Sequence, residues 1–543
     1  MKLYKYSVLA VAGIMATACS DIDNQLPEGD VITGEQIQEA VDAVPERAEA
    51  NFSGMFALMG KPGATWSTGS NARRADDFGF ISAAFSLDLE GADMVSMNSD
   101  YNWFSPALEL STRDANYANP YMRYVIPFRQ IGLANQVIES IPEDSKNEDA
   151  INMRAQACAI RAFDYMQLAP YFQFADVAHL DEPCVPLLDG EHDMANNPRA
   201  SVRKVWETVI TDLNWAIAHL TEARADKSKI NRNVALGLRA RANLFLGNFK
   251  EAAEDAAEAM KGFTPAGIDD LAVPSFYSAN DKNWMWGIII TDDMVLARSS
   301  CTSCAWLCAF SGDSYSAAVQ LTPQINVLLY KEIPDTDVRK YWWLDTDLYS
   351  PLLDNISWNG ASGVDLSNLR ITDVKDPYLP YTNVKFGMKS GIGSEINSND
   401  WPLMRVEEMI LIQAEGLAKS GKQGDAETVL TNFLKAYRDP SYQRNPKRTL
   451  EDEIWFQRRV ELWGEGFFTG DAKRLGKPIV RFHDDVESNY PDAFRFNVAA
   501  DDGWMNMRFP QTEKDNNKGI VDNEGGAQPV AGQNPNLRDG VTD

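Results

Sequence analysis

The sequence predicts a mainly α protein, in which tetratricopeptide-like helix pairs form a scaffold and an irregular, loop-rich half carries a few short strands. Three observations predict it. Apolar residues recur at helical spacing over about 35–262 and 402–480. One pattern of small residues occurs twice. The stretch between the two copies, about 263–401, is rich in Pro, Gly, Ser, Asn and Asp and lacks a sustained helical period.

The periodicity is specific enough to place faces. Cys158, Ala162, Tyr165, Ala169 and Phe172 step by four, three, four and three, so they share one side of a helix, and Val202, Trp206, Val209, Leu213, Ala216 and Leu220 do the same. Ser201 is the expected N-cap of the second helix, because its hydroxyl can accept from an otherwise unpaired backbone N–H. Pro170 is expected to kink or stop the first.

In ALGLRARANLFLGNFKEAAEDAAEA, Ala240, Gly247 and Ala252 are spaced seven and five apart; Ala414, Gly421 and Ala426 repeat that spacing in LIQAEGLAKSGKQGDAETVLTNF. Small residues let two helices approach closely, and the glycine can take φ > 0 at the turn, which is the mechanics of a tetratricopeptide hairpin. Ala259 extends the match in the first copy; Phe433 replaces Ala in the second. In the intervening stretch, WGIIIT (Trp286 to Thr291) reads as a strand. Seven of the 14 tryptophans fall there, and after about 481 the texture is again irregular and polar.

Composition bounds the function. With 543 residues, 44% apolar and 24% charged, the chain can bury a large core. A net charge of −27 without a basic patch repels a phosphate backbone, so no nucleic-acid partner is expected.

Residues 1–18 read as a signal peptide: Lys2 and Lys5, an apolar run from Val8 to Met15 too short to cross a bilayer, then small residues. Ala16-Thr17-Ala18-Cys19 resembles a lipobox, which makes Cys19 the expected lipidation site and 19–34 a lipidated N-terminus and tether. Acyl chains on Cys19 would hold a soluble body at a membrane. Asp21 and Asp23 resemble a signal that sends such lipoproteins to the cell exterior. A plainly secreted protein is the alternative. The remainder, 35–543, is expected to be one domain.

Several ordered motifs carry a family resemblance. RAQACAIRAFDYMQLAPYFQFADVAHLDEPCVPL (Arg154 to Leu188), SVRKVWETVITDLNWAI (Ser201 to Ile217), LMRVEEMILIQAEGLAK (Leu403 to Lys419), IWFQRRVELWGEGFFTGDAKRLGK (Ile454 to Lys477) and RFPQTEKDNN (Arg508 to Asn517) resemble successive signatures of the SusD/RagB family of nutrient-binding outer-membrane lipoproteins. Phe468 and Thr469 depart from it where an Arg is usual. The resemblance implies a SusD-like fold, an outer-membrane location facing the exterior, and a TonB-dependent SusC-like transporter as partner. It also implies that Arg405, Glu408, Arg458, Glu461, Glu465 and Asp471 are scaffold ion pairs.

Sugar rings present apolar C–H faces, so binding without chemistry calls for flat aromatics flanked by Asn, Asp or Arg. Two segments supply that mix. Residues 60–105 contain Trp66, Asn71, Arg73, Asp76, Tyr101, Asn102 and Trp103; 263–401 contain Trp284, Trp306, Asp313, Tyr315 and Trp358. The expected ligand contacts are Trp66, Arg73, Tyr101, Asn102, Trp103, Trp284, Trp306, Tyr315 and Trp358, whereas Trp206, Trp215, Trp286, Trp455 and Trp463 are expected in the core. Cys301, Cys304 and Cys308 in CTSCAWLC have a metal-like spacing but no local fourth ligand; a disulfide or buried thiols suit an exported protein better. No His-Glu-x-x-His, Gly-x-Ser-x-Gly or phosphate loop occurs, so no catalytic residue, cofactor or metal is expected. Non-catalytic glycan capture is the preferred reading. Peptide capture and a surface glycosidase are the alternatives, since carboxylate pairs are spatial and 78 acidic residues offer many.

Overall fold

A computed structural model describes residues 48–60, 79–96, 104–190, 192–294, 307–310, 323–357, 378–394, 396–484 and 486–543. After α1 (Glu49–Ala57) and α2 (Phe80–Glu90), a short strand β1 (Met94–Val95) and α3 (Phe104–Leu108) lead into the scaffold: α4 (Ala118–Ser140), α5 (Glu148–Phe172), α6 (Val202–His219), α7 (Arg232–Leu246) and α8 (Phe249–Ala259). The irregular half follows with β2 (Trp284–Ile288), β3 (Gln324–Ile325) and α9 (Val327–Glu332). Then β4 (Trp401–Arg405) runs into α10 (Val406–Lys419), α11 (Gln423–Tyr437), α12 (Leu450–Glu461), α13 (Phe468–Leu475) and α14 (Gln511–Asn516).

The two expected hairpins are α7–α8 and α10–α11. Gly247 (φ 74°) and Gly421 (φ 87°) take the left-handed turn conformation that the repeat required of them. Each neighbouring pair in the series α4–α5–α6–α7–α8–α10–α11 is packed together, so α8 against α10 stacks one hairpin on the other. Gly416 sits at that crossing, where an added Cβ would fall against the Phe249 carbonyl oxygen and 2.9 Å from the Ala253 nitrogen. Gly416→Ala is therefore expected to lower stability by about 1–3 kcal/mol in urea denaturation, through forced separation of packed backbones. Gly424→Ala, whose Cβ would meet nothing within 4 Å, is expected to be neutral or mildly stabilising.

The faces are as the spacing predicts. Cys158, Ala162, Tyr165, Ala169 and Phe172 are buried on α5, and Val202, Trp206, Val209, Leu213, Ala216 and Leu220 are buried on or just after α6. The Ser201 hydroxyl accepts from the Lys204 N–H at 3.2 Å, and α5 ends two residues after Pro170. One departure is β1, which lies inside the stretch read as helical. It is a two-residue strand held by pairing with β3, with Met94 opposite Ile325 and Val95 opposite Gln324, and local periodicity carries no signal for so distant a partner.

β2 pairs antiparallel with β4, with Ile288 opposite Trp401 and Trp284 opposite Arg405. Because β4 continues into α10, this ladder fixes the irregular half to the scaffold. The core of that half is largely aromatic: the Trp342 ring lies 5.3 Å from Phe276 and 6.0 Å from Trp343, which in turn lies 5.6 Å from Trp463.

Candidate functional site

Where β4 meets α10, a buried charge network joins the two halves. Arg405 reaches Glu461 (3.1 Å), Glu465 (2.8 Å) and Glu407 (3.0 Å). Glu461 also holds Arg438 (2.8 Å) and Arg339 (3.3 Å), and Lys385 caps Glu465 at 2.9 Å. With Asp337 on Arg339 (2.6 Å), four cations face four carboxylates in a region closed to water. Burial alone would raise Glu461, but Arg438, Arg405 and Arg339 hold it well below the usual carboxylate range. The other motif residues are paired too: Glu408 with Arg241 (2.6 Å) and Arg458 with Asp471 (2.8 Å). All six are thus scaffold ion pairs, with charges too fully matched to serve as a catalytic acid or base.

Described residues that flank the ligand-contact segments of the sequence are tied to one another. On either side of residues 61–78, the Phe80 N–H donates to the Met59 carbonyl at 3.0 Å. Gly60 at its start is so close to Ile288 and Ile290 that a Cβ would lie 2.7 Å from Ile290 Cδ1, and 3.7 Å from Met294, which precedes segment 295–306. Lys389 then ties Ile290 (3.0 Å to its carbonyl) to Asp400 (2.8 Å). The Gly393 N–H donates to the Phe310 carbonyl at 2.9 Å, immediately before segment 311–322. The Tyr378 hydroxyl, just after segment 358–377, donates to the Ala309 carbonyl at 2.5 Å. The Ile325 N–H donates to the Tyr381 carbonyl at 3.1 Å, and Gln324 pairs with Val95, ahead of segment 97–103. These contacts join described residues that flank each of the five segments.

Of the nine expected ligand contacts, Trp66, Arg73, Tyr101, Asn102, Trp103, Trp306, Tyr315 and Trp358 lie outside the described residues. The ninth requires a correction. Trp284 is 0% exposed, on a strand covered on both faces, so it offers no platform to a ligand. Trp286 beside it is equally buried and donates to the Ser228 carbonyl at 3.0 Å. Trp206, Trp455 and Trp463 are buried as expected, and Trp215 is half-buried. Cys301 and Cys304 also lie outside the described residues; Cys308 is a buried thiol donating to the Gly387 carbonyl at 3.4 Å.

Sequence reasoning missed a pair of partly exposed aromatics. Tyr330 and Tyr381 are half-buried with ring centres 5.0 Å apart, and the Lys340 ammonium lies 5.1 Å from the Tyr330 ring. Tyr381 holds φ 70°, an uncommon value for a residue with a side chain, because its N–H donates to the Leu344 carbonyl while its own carbonyl accepts from Ile325. Burial, with Asp345 beside it, pushes the Tyr330 phenol up to about 12, so it stays a neutral donor. The turn-rich PYLPYTN around Tyr381 was the available signal.

A family model described as "SusD family" matches residues 298–536, and one described as "Starch-binding associating with outer membrane" matches 82–244. Two SusD-like proteins of Formosa agariphila are 26% identical over 377 residues (64% of this chain, 69% of the relative) and 22% identical over 405 (66% and 73%). Among solved structures, a SusD-like carbohydrate binding protein from Bacteroides vulgatus superposes with a TM-score of 0.69 at 22% identity, covering 88% of this chain and 97% of that one. Surface glycan-binding protein A from Bacteroides thetaiotaomicron, solved with laminarihexaose, superposes with a TM-score of 0.61 at 17% identity, covering 88% and 99%. With the fold shared along most of the chain and family signatures in both its helical and irregular parts, this protein belongs to the SusD/RagB family.

Proposed function

We propose that this protein is a surface lipoprotein, anchored through Cys19, that captures an oligo- or polysaccharide without chemistry of its own and delivers it to a TonB-dependent SusC-like transporter. The reading is supported by the contacts among described residues that flank 61–78, 97–103, 295–306, 311–322 and 358–377, the segments of the sequence that bear Trp66, Arg73, Tyr101, Asn102, Trp103, Trp306, Tyr315 and Trp358. Aromatic-bearing segments of this kind can act on one chain of sugars, with flat rings against C–H faces and Asn or Arg on the hydroxyls. The half-buried Tyr330 and Tyr381 rings are further candidates for such contacts. The paired state of the family's charged motif supports binding over hydrolysis. The laminarihexaose complex of a protein with the same fold supports a glycan as ligand.

The test is to mix the purified protein with a panel of polysaccharides and peptide pools, and to follow retarded migration, heat of binding and released reducing sugar. One glycan class is expected to bind with no sugar released. Alanine at Trp66, Trp103, Trp306 or Trp358 is expected to weaken it at least tenfold, about 1.4 kcal/mol each. Release of sugar, or binding of peptides alone, would overturn the reading.

A further inference from the structure

We infer that the sugar unit docked on Tyr330 and Tyr381 carries no negative charge, so that this protein captures a neutral glycan and refuses one bearing carboxylate or sulfate; the inference rests on the glycan reading and narrows it. The two rings lie 5.0 Å apart at 59° to one another and are half-buried, and the exposed Leu379 and half-buried Pro380 adjoin Tyr381 in the chain. A partly open aromatic pair with apolar neighbours suits the C–H face of a sugar ring. By itself it sets no limit on charge.

The limit comes from the groups around it. Burial first, then Asp345, Tyr381 and Asp335, raise the Tyr330 phenol, and burial first, then Glu487 and Asp345, raise that of Tyr381. Carboxylates therefore act on both rings. Asp345 is fixed in place, since its Oδ1 accepts from the Asp347 and Tyr349 N–H groups at 2.8 and 3.0 Å, and the Tyr349 hydroxyl donates to a further carboxylate, Asp354, at 2.5 Å. The cation at the pair is Lys340, 5.1 Å from the Tyr330 ring centre, and it is already engaged: its ammonium donates to Asp335 at 2.6 Å and to the Ile333 carbonyl at 2.8 Å. An anionic sugar unit would thus meet the field of Asp335, Asp345 and Glu487 against a cation that is matched beforehand. Like charges facing one another are a means of refusing wrong partners, and the net charge of −27 adds to the repulsion at longer range. A neutral sugar meets none of this, and its hydroxyls can accept from the two protonated phenols.

The test offers the full mature chain laminarin and mannan beside polygalacturonate and a sulfated galactan, then compares the glycan it retains with a carboxymethylated preparation of that glycan by calorimetry. Retention is expected among the neutral polysaccharides alone. The carboxymethylated form is expected to bind at least tenfold more weakly at about 0.05 M salt, a gap that narrows several-fold at about 0.5 M, because screening acts on charge and not on bulk. Asp335→Asn with Glu487→Gln, both at exposed positions, is expected to narrow the gap at low salt, and Tyr381→Ala to weaken the neutral glycan at least tenfold. Retention of polygalacturonate or the sulfated galactan would leave the glycan reading standing and overturn this inference alone. A gap that neither salt nor the double variant moves, or neutral binding that survives Tyr381→Ala, would overturn it too. A chain that retains no polysaccharide at all would take both readings down together.

Discussion

Replacing Glu461 with Ala is expected to lower the stability of this protein by about 3–5 kcal/mol, the usual cost of removing one partner from a buried ion pair. The side chain is 0% exposed and holds Arg405, Arg438 and Arg339 at 3.1, 2.8 and 3.3 Å. Its loss leaves three guanidinium groups short of a carboxylate in a region water does not reach. Arg405 and Arg438 keep Glu407, and Arg405 keeps Glu465, so the variant is expected to fold, with a lower urea midpoint and an unchanged denaturant slope. Glu461→Gln keeps the shape and an acceptor oxygen and is expected to lose less. A midpoint unmoved by Glu461→Ala would mean that the network does not hold the two halves together.

The pH profile of stability is expected to fall on both sides of a maximum in the mildly acidic range. Glu461 and Glu415 are depressed in the folded protein: burial alone would raise each, but Arg438 with Arg405, and Arg474 with Lys419, lower them. Their contribution is complete above an ordinary glutamate value of 4.5 and is lost as pH falls from there through the folded values. Asp88 has the opposite sign. Burial pushes it up to about 7 from 3.8, against the Gly466 and Phe468 N–H groups that favour the anion, so its contribution is full below 3.8 and is lost as pH rises to about 7. Burial likewise raises Asp164 well above 3.8. Urea midpoints from pH 3 to 8 are expected to show both slopes, and Asp88→Asn to flatten the one above pH 4. An unchanged slope in that variant would remove Asp88 from the account of alkaline loss.

The legible part of this fold is the part with local causes. Ala240, Gly247 and Ala252 and their counterparts announced two hairpins, because close approach and a left-handed turn are requirements on neighbouring residues. Ser201 announced a helix start for the same reason. Long-range pairing was not legible: the Arg-Arg signature names Arg459 but nothing in it points to Asp93, 366 positions away, which Arg459 grips at 2.6 Å. Tryptophan density misled at Trp284. A half with few helices and only short strands still needs a core, and Trp284, Trp286, Trp342, Trp343 and Trp401 supply it, each at most 2% exposed. Trp284, the one of these rings read as a ligand contact, fills the interior with the others; Tyr330 and Tyr381, which are only half-buried, gave no signal beyond the turn-rich PYLPYTN around Tyr381.

Hydrogen exchange of the mature protein, with and without the glycan it retains, tests capture by the aromatic-bearing segments most directly. Protection is expected over 61–78, 97–103, 295–306, 311–322 and 358–377, with little change in the α7–α8 and α10–α11 hairpins. Protection confined to those hairpins, with the five segments unaffected, would contradict it.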